Sequence, residues 1–574
     1  MVRDFHSDIF GENVFIFSSE DNPKEVQKIL DSIYAKQEAN QFGKERYAVY
    51  FLPGTYHSKI FPHVGFYTQI SGLGYLPSET KIKHLDSLAR WLGNNPDNHN
   101  ACCNFWRGVE NIEVDSDTVW AVSQATFFRR SKVNGTISFH DEGGWCSGGF
   151  TADCIFDEAS DSGTQQQWFS RNNEYKYWNN SSWNMVLCGD LMTQPLQGMW
   201  PEKPYTVIES TEVIREKPFL VFDDENGFGV FVPAVKRNSA GVDWKTGKDS
   251  LEGTFISIDD FYVAKPGDNA SKINSKLSAG KHIFFTPGIY ELTEPVIVSN
   301  KNTVILGSGF ATLIPVKGTE AMIIEDEDGI IVSGILFDAP QCGGKTKIPV
   351  PENLLLVGRE KTDKKHNENP VVFSDIFFRI GGTKTTEPAK TKNCITINSA
   401  NVTGDNFWIW RADHGDQVGW TLNEAENGII VNGDNVTMYA LMVEHFNKHE
   451  TIWNGNGGKI FMYQCEIPYD VPSQEVWMSH NESVKGYSSI TVADNVTDFY
   501  GTGIGVYLLN RAAPVTLENA IELPDSPGVK LEHVVGVMIA GYPGMNHLVN
   551  GKGPSFLRGF SKDILTEYCN GISK

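Results

Sequence analysis

Three segments of the chain close on carboxylates at related spacings. "FWIWRADHGDQVGW" (407–420), "YALMVEHFNKHETIWNGNGG" (439–458) and "FMYQCEIPYDVPSQEVW" (461–477) each read as a short strand ending in an acid: Asp413, Glu444 and Glu466. Glu444 and Glu466 are 22 residues apart, and Asp413 and Glu444 are 31 apart. If the strands are rungs of coils stacked about 4.8 Å apart, these acids form a ladder, about 5 Å between neighbouring coils and about 10 Å between alternate ones. Carboxylates that close resist double ionisation, which leaves a proton donor beside an ionised partner. Cleavage of a glycosidic bond uses such a pair, with separations of roughly 6.5–9.5 Å for inversion and about 5 Å for retention. Glu444 or Glu466 is the expected acid; Asp413, Asp416 or the other glutamate is the expected base.

The surroundings suit a sugar. Trp410, Trp420, Trp453 and Tyr469 offer aromatic faces for pyranose rings, and His414 and His445 follow two of the acids. The competing reading is structural: acids at strand ends cap turns or pair with a nearby cation, here Arg411 or Lys448. Each histidine stands alone beside a carboxylate, so no metal and no other cofactor is expected. A second polar and aromatic passage, 143–190, contains Gln166, Trp168 and Arg171. It reads either as an Asn/Gln ladder inside a coil stack or as the wall of a cleft between two domains.

A repeat sets the frame that must position these residues. "AVYFLPGTYH" (48–57) returns as "HIFFTPGIYEL" from residue 282, and each is followed by a strand with Gly-x-Gly. Pro53 and Pro287 are 234 positions apart, and Gly72 and Gly307 are 235 apart, which marks a duplicated module. An amphipathic helical segment precedes each phrase, 22–40 and 267–280. Short β runs separated by Asn, Gly and Asp then recur every 20 to 30 residues or so, the pattern of a parallel β-helix. The expected fold is all-β: two tandem right-handed parallel β-helices of pectate-lyase type packed side by side, each with a short N-terminal capping helix over its open strand edge. The first spans 1–235, a polar linker 236–254, and the second, carrying the acids, 255–574.

The 574 residues carry a formal charge of −22. That disfavours nucleic acid and anionic membranes as partners and points away from polyanionic substrates. No apolar run is long enough to span a bilayer. The start shows no signal-peptide pattern, so the chain is expected to be cytoplasmic or to follow a removed leader. Nine scattered cysteines without a Cys-x-x-Cys pair read as reduced, buried thiols. Oligomeric state is left open.

At the twin Pro-Gly-x-Tyr entrance the sequence resembles the architecture of glycoside hydrolase family 55, the exo-acting β-1,3-glucanases. "WRADHG", "VEHFNKHETIWNGNGG" and "YQCEIPYD" also resemble a large group of proteins often labelled adenylyl cyclase or coagulation factor 5/8 type domain. Nothing here supplies the metal-binding aspartates or phosphate cradle of a cyclase. The resemblance implies an inverting, metal-independent glycoside hydrolase acting on a neutral glucan, with an acid glutamate in the second module. The alternatives are a β-helix transglycosylase that cyclises a fructan or glucan, a polysaccharide lyase, and a non-catalytic sugar-binding β-helix.

Overall fold

The duplicated phrase makes the same pairing twice in the computed structural model, which describes residues 7–95 and 97–574. Strand Tyr47–Phe51 runs parallel to Thr68–Gly72 with Phe51 opposite Gly72, and His282–Phe285 runs parallel to Val304–Pro315 with Phe285 opposite Gly307. A helix precedes each phrase. Pro23–Gln37 is capped by Asn22, which accepts from the Lys24 N–H, and Ala270–Ser278 by Asn269, which accepts from the Lys272 N–H. Val26, Leu30 and Ile33 of the first and Ile273 and Leu277 of the second are buried. Each helix thus lays its apolar stripe against the start of a strand stack.

In the first stack nine parallel strands follow chain order from Val14–Phe17 to Tyr205–Ile208. In the second, a thirteen-stranded sheet begins at Phe261–Ala264 and stays parallel until Ser561–Cys569 and Ile572–Ser573 turn back antiparallel. A nine-stranded parallel sheet, from Val296–Val298 to Met545–Val549, forms another wall of that stack. The chain is therefore all-β, with two parallel β-helices side by side. Residues 211–257, which span the expected linker, are antiparallel: Thr211–Arg215 pairs with Val235–Ser239, and Gly227–Pro233 pairs with Phe219–Asp223 and Gly253–Ser257. Among the described residues no helix is long and apolar enough to cross a membrane.

Strand alternation sorts the second stack into columns. Ile335, Ile376, Phe407, Leu441, Tyr463 and Ile504 lie in register and fill its interior, as do Phe337, Phe378, Ile409, Val443, Cys465 and Val506. The column between them, Leu336, Phe377, Trp408 and Met442, points the other way and packs with Phe105, Trp106, Phe127 and Phe169 of the first stack. Both faces are buried, which is why these strands read as unbroken apolar runs.

Each coil also bends at one place. Gly334, Asp375, Asn406, Ala440, Met462, Gly503 and His533 occupy the same position in successive coils, all with φ between +54° and +70°. The bend approaches the first stack so closely that a Cβ on Gly503 would lie 2.4 Å from Val186 Cγ2. Buried charges join the two stacks: Arg129 pairs with Asp375 and Asp405, and Arg171 with Asp405 and Glu216.

Candidate active site

One column facing the first stack gathers two of the candidate acids. In register it reads Asp338, Arg379, Trp410, Glu444, Glu466, Tyr507 and Val537. Glu444 and Glu466 are therefore direct rung neighbours, as their 22-residue spacing requires. Asp413 is not on the ladder. Its strand ends at Arg411, Trp410 takes the rung, and Asp413 returns from the following loop to 4.0 Å from His445 Nε2.

Glu444 is 3 % exposed. Its Oε1 accepts a hydrogen bond of 2.9 Å from Gln124 Nε2, a residue of the first stack, and Gln124 Oε1 accepts one of 2.9 Å from Ser147 Oγ. Burial, then the charge of Glu466, raises the Glu444 carboxyl well above the carboxylate range. Glu466 accepts from the Tyr469 hydroxyl and, at 3.3 Å, from Gln464 Nε2. Burial lifts it to about 7, against the Tyr469 bond. The two groups titrate as one coupled pair that holds a proton at neutral pH.

The flanking groups are fixed in opposite charge states. Burial disfavours the charge on Asp413, but the bond to His414 Nδ1 at 2.8 Å and the Arg511 guanidinium at 2.9 Å overcome it and hold Asp413 ionised. His414 is pushed up to about 10: Asp413 outweighs its partial burial. The Gln41 side-chain amide of the first stack meets His414 Nε2 at 2.5 Å. His445 goes the other way. Three carboxylates lie 3.6–4.0 Å from its Nε2, beyond hydrogen-bond distance, and burial lowers it to about 4. Glu444, His445 and Glu466 each bring one ligand atom within 4.8 Å of the others, a spacing that a divalent cation could bridge.

The space beside the pair is closed at one end and aromatic at the other. Phe42 of the first stack lies over Trp410 at 6.2 Å and against His414 at 5.6 Å. Beyond this wall lies a separate cavity of about 780 Å³, lined by Asn40, Phe42, Lys44, Arg379 and Lys384. On the other side Tyr507, the rung after Glu466, packs against Trp183 at 5.0 Å. Trp183 in turn lies 6.4 Å from Trp145 and from Phe560, which are 50 % and 65 % exposed.

Several expected site residues are elsewhere. Trp453 is wholly buried inside the second stack against Phe499. Trp168 is buried inside the first, with its N–H on Thr151 Oγ1 at 3.1 Å. Arg171 is fully buried and consumed by Glu216 and Asp405. None of these three presents a surface to a ligand, because strand side chains of both stacks are buried on both faces. Asp416 is exposed and pairs through its backbone with Gly382, apart from the carboxylate pair. Trp420 lines a different groove with Lys390 and Tyr487. Trp410 is 1 % exposed and forms the closed end. Tyr469, His414 and His445 do gather at the pair, whereas Gln166 reaches the mouth through its backbone carbonyl, which accepts from the Trp183 and Asn184 N–H groups at 3.0 Å. Sequence reasoning missed Gln124, Ser147, Gln41, Arg511, Trp145, Trp183 and Phe560. Ser147, Trp145 and Trp183 lie in the 143–190 passage already singled out as a cleft wall; Gln124 and Arg511 carry no signal in sequence.

A buried pair of carboxylates at the seam of two β-helices is an arrangement of the kind glycoside hydrolysis uses. Residues 261–466 match the family model of the LAM55 pectate lyase-like domain. The chain is 40% identical over 549 residues to an exo-beta-1,3-glucanase of Streptomyces sp. (strain SirexAA-E / ActE), covering 95% of this chain and 87% of that protein. It superposes on the structure of sacteLam55A from Streptomyces sp. SirexAA-E with a TM-score of 0.91 at 39% identity, over 97% of this chain and 98% of that one. A glutamate-to-alanine variant of sacteLam55A in complex with glucose gives 0.91 at 38% identity over the same shares. The chain belongs to the glycoside hydrolase family 55-like twin β-helix proteins. It is a glycoside hydrolase, and its substrate is a carbohydrate.

Proposed function

We propose that the protein is an exo-acting β-1,3-glucanase that inverts at the anomeric carbon, with Glu466 as general acid and Glu444 as general base. The observation that carries this reading is the register-paired couple Glu444 and Glu466, placed between a closed end and an aromatic mouth. A leaving glycan is large and is reached from the mouth, where Glu466 adjoins the rung of Tyr507; its side chain is 13% exposed. A base needs to reach only water, and Glu444 lies deeper, with Ser147 and Gln124 offering that water further partners. The amide donated by Gln124 favours the ionised form of Glu444. Asp413, held ionised by His414 and Arg511, acts as a fixed charge that helps keep the proton on Glu466.

The closed end supports removal of one terminal sugar at a time. The β-1,3 linkage is the one named for the 40% identical relative, and the charge of −22 favours a neutral glycan. Inversion is what the family resemblance implies. Carboxylate oxygens of Glu444 and Glu466 approach within 4.8 Å, the separation that by itself goes with retention, so inversion here requires the attacking water on the Gln124 side of Glu444 rather than between the two acids.

The test is product chromatography with β-1,3-, β-1,6-, α-1,3- and α-1,6-glucans and inulin, followed by proton NMR of the first product. Glucose from the β-1,3-glucan alone, released as the α-anomer, is the expected outcome. A ladder of oligosaccharides would overturn exo action, and an initial β-anomer would overturn inversion.

A further inference from the structure

The loop that follows Arg411 serves two sides of the second stack. It delivers Asp413 and His414 to the carboxylate pair and then carries Trp420 to a groove of about 390 Å³, bordered by outward residues of the nine-stranded sheet. Arg411 fixes that geometry from below. It donates to Asn423 O and Gly419 O at 2.9 Å, to His445 O at 3.0 Å and to both oxygens of Asp470, and its guanidinium lies 5.7 Å from the Trp420 ring.

Trp420, Tyr487, Val350 and Val476 form the apolar part of the groove. Val476 is 53% exposed. Neither the Trp420 indole N–H nor the Tyr487 hydroxyl has a hydrogen-bond partner among the described residues, although both side chains are half-buried. The charged residues are matched one for one: Lys390 with Glu424, Lys392 with Glu352 at 2.6 Å and Lys448 with Glu426 at 2.7 Å. Each of the three lysines that line the groove is neutralised by a glutamate, Lys392 by Glu352 from just outside the lining, and such a surface inside a strongly acidic protein suits an uncharged ligand. Aromatic faces, open donors and paired charges with free lone pairs are the groups that hold pyranose rings and their hydroxyls, and the volume falls in the range of small-ligand sites, roughly 300–1,000 Å³.

We propose that this groove is a second glycan-binding site, which holds a non-reacting stretch of the same neutral glucan that the carboxylate pair cleaves. The proposal rests on the glucanase reading for the identity of the ligand. An exo-acting enzyme meets only one reactive end per chain. Anchoring the body of the polymer keeps that end near the mouth and raises its effective concentration without any contact at the reacting bond.

Two measurements separate the groove from the catalytic site. Retardation in gels containing polymeric β-1,3-glucan is read in a Glu466→Gln background, where the polymer stays intact. Turnover of a β-1,3-linked trisaccharide and of insoluble β-1,3-glucan is read in the otherwise native enzyme. Trp420→Ala with Tyr487→Ala is expected to weaken retardation about tenfold, as for loss of an anchoring aromatic cluster. Turnover of the trisaccharide should stay at the parent rate while turnover of the insoluble polymer falls. Val476→Glu alters only an exposed rim residue and should weaken retardation in the same direction with the fold untouched. Unchanged retardation in both variants overturns the second site. Absence of trisaccharide turnover by the native enzyme instead overturns the glucanase reading, and retardation by other glycans then identifies what the groove holds.

Discussion

Removing one hydroxyl should move one limb of the pH profile. Tyr469 donates its O–H to Glu466 Oε2, and both groups are largely buried, the tyrosine 8% exposed and the carboxyl side chain 13%. The bond stabilises ionised Glu466 and opposes burial and the charge of Asp413, which together hold it at about 7. A hydrogen bond to a charged group contributes about 1.5–3 kcal/mol and one pKa unit corresponds to about 1.4 kcal/mol, so Tyr469→Phe raises Glu466 by about 1–2 units. A general acid works protonated. The alkaline limb of kcat/KM therefore moves up by about 1–2 units, while the acid limb, set by loss of the pair's first proton, moves less. The stability effect has a definite sign. Glu466 has a folded pKa above its unfolded value of about 4.3, so its contribution is complete below that value and is lost as pH rises through about 7. In the variant the loss continues to higher pH. The assay is kcat/KM against pH on a β-1,3-linked trisaccharide, beside an aryl β-glucoside whose leaving group needs no proton and should show no alkaline limb. An alkaline limb that stays in place or moves down on the trisaccharide refutes the assignment of Glu466 as acid.

Gln124→Leu removes the cross-stack hold on Glu444 and should cut kcat by about 10²-fold or more, the usual weight of a positioned acid or base, with the thermal transition unchanged. Arg511→Ala takes a cation from Asp413 and Glu466. Glu466 then holds its proton to higher pH, and the alkaline limb shifts upward. The shift should shrink at high salt, because Arg511 is half exposed and screened. Arg171→Ala leaves Glu216 as a buried, uncompensated anion and Asp405 with Arg129 alone, and should destabilise the fold by about 3–5 kcal/mol in denaturant titration. Its kcat per folded molecule should equal the parent's, since Arg171 joins the stacks and does not touch the substrate space.

What could be read from the sequence follows coil arithmetic. A spacing of 22 residues places Glu444 and Glu466 on adjacent rungs because both segments are one coil apart with strands of equal phase. The 31-residue spacing of Asp413 misled by three residues: the strand ends at Arg411, and Trp410 takes the rung. The twin phrase marks two stack entrances because Phe51 opposite Gly72 and Phe285 opposite Gly307 are the same pairing. Aromatic residues within strands were poor guides. Alternation separates two faces, but here one face fills a coil and the other meets the second stack, so Trp453, Trp168 and Trp410 all disappear from solvent. The informative aromatics, Trp145, Trp183 and Phe560, lie where coils leave the seam. Gln124 reaches Glu444 across 320 residues, a contact created by docking and written in no local pattern.

That docking is what gives two ordinary acids the raised pKa values that the proposed acid and base require. The column of Glu444 and Glu466 points outward from its own stack, where on a lone β-helix it would face water and titrate as ordinary carboxylates. The first stack covers it with Gln124, Ser147 and Phe42, removes the water and raises both carboxyls above the ordinary carboxylate range, Glu466 to about 7. The desolvation is sustained by the cross-stack pairs of Arg129 and Arg171 with Asp375 and Asp405. Loosening the seam should therefore lower both carboxyl pKa values before it unfolds either stack. Activity would fade on the alkaline side first, because a Glu466 that returns toward the ordinary carboxylate range loses its proton at a pH where the native enzyme still holds it.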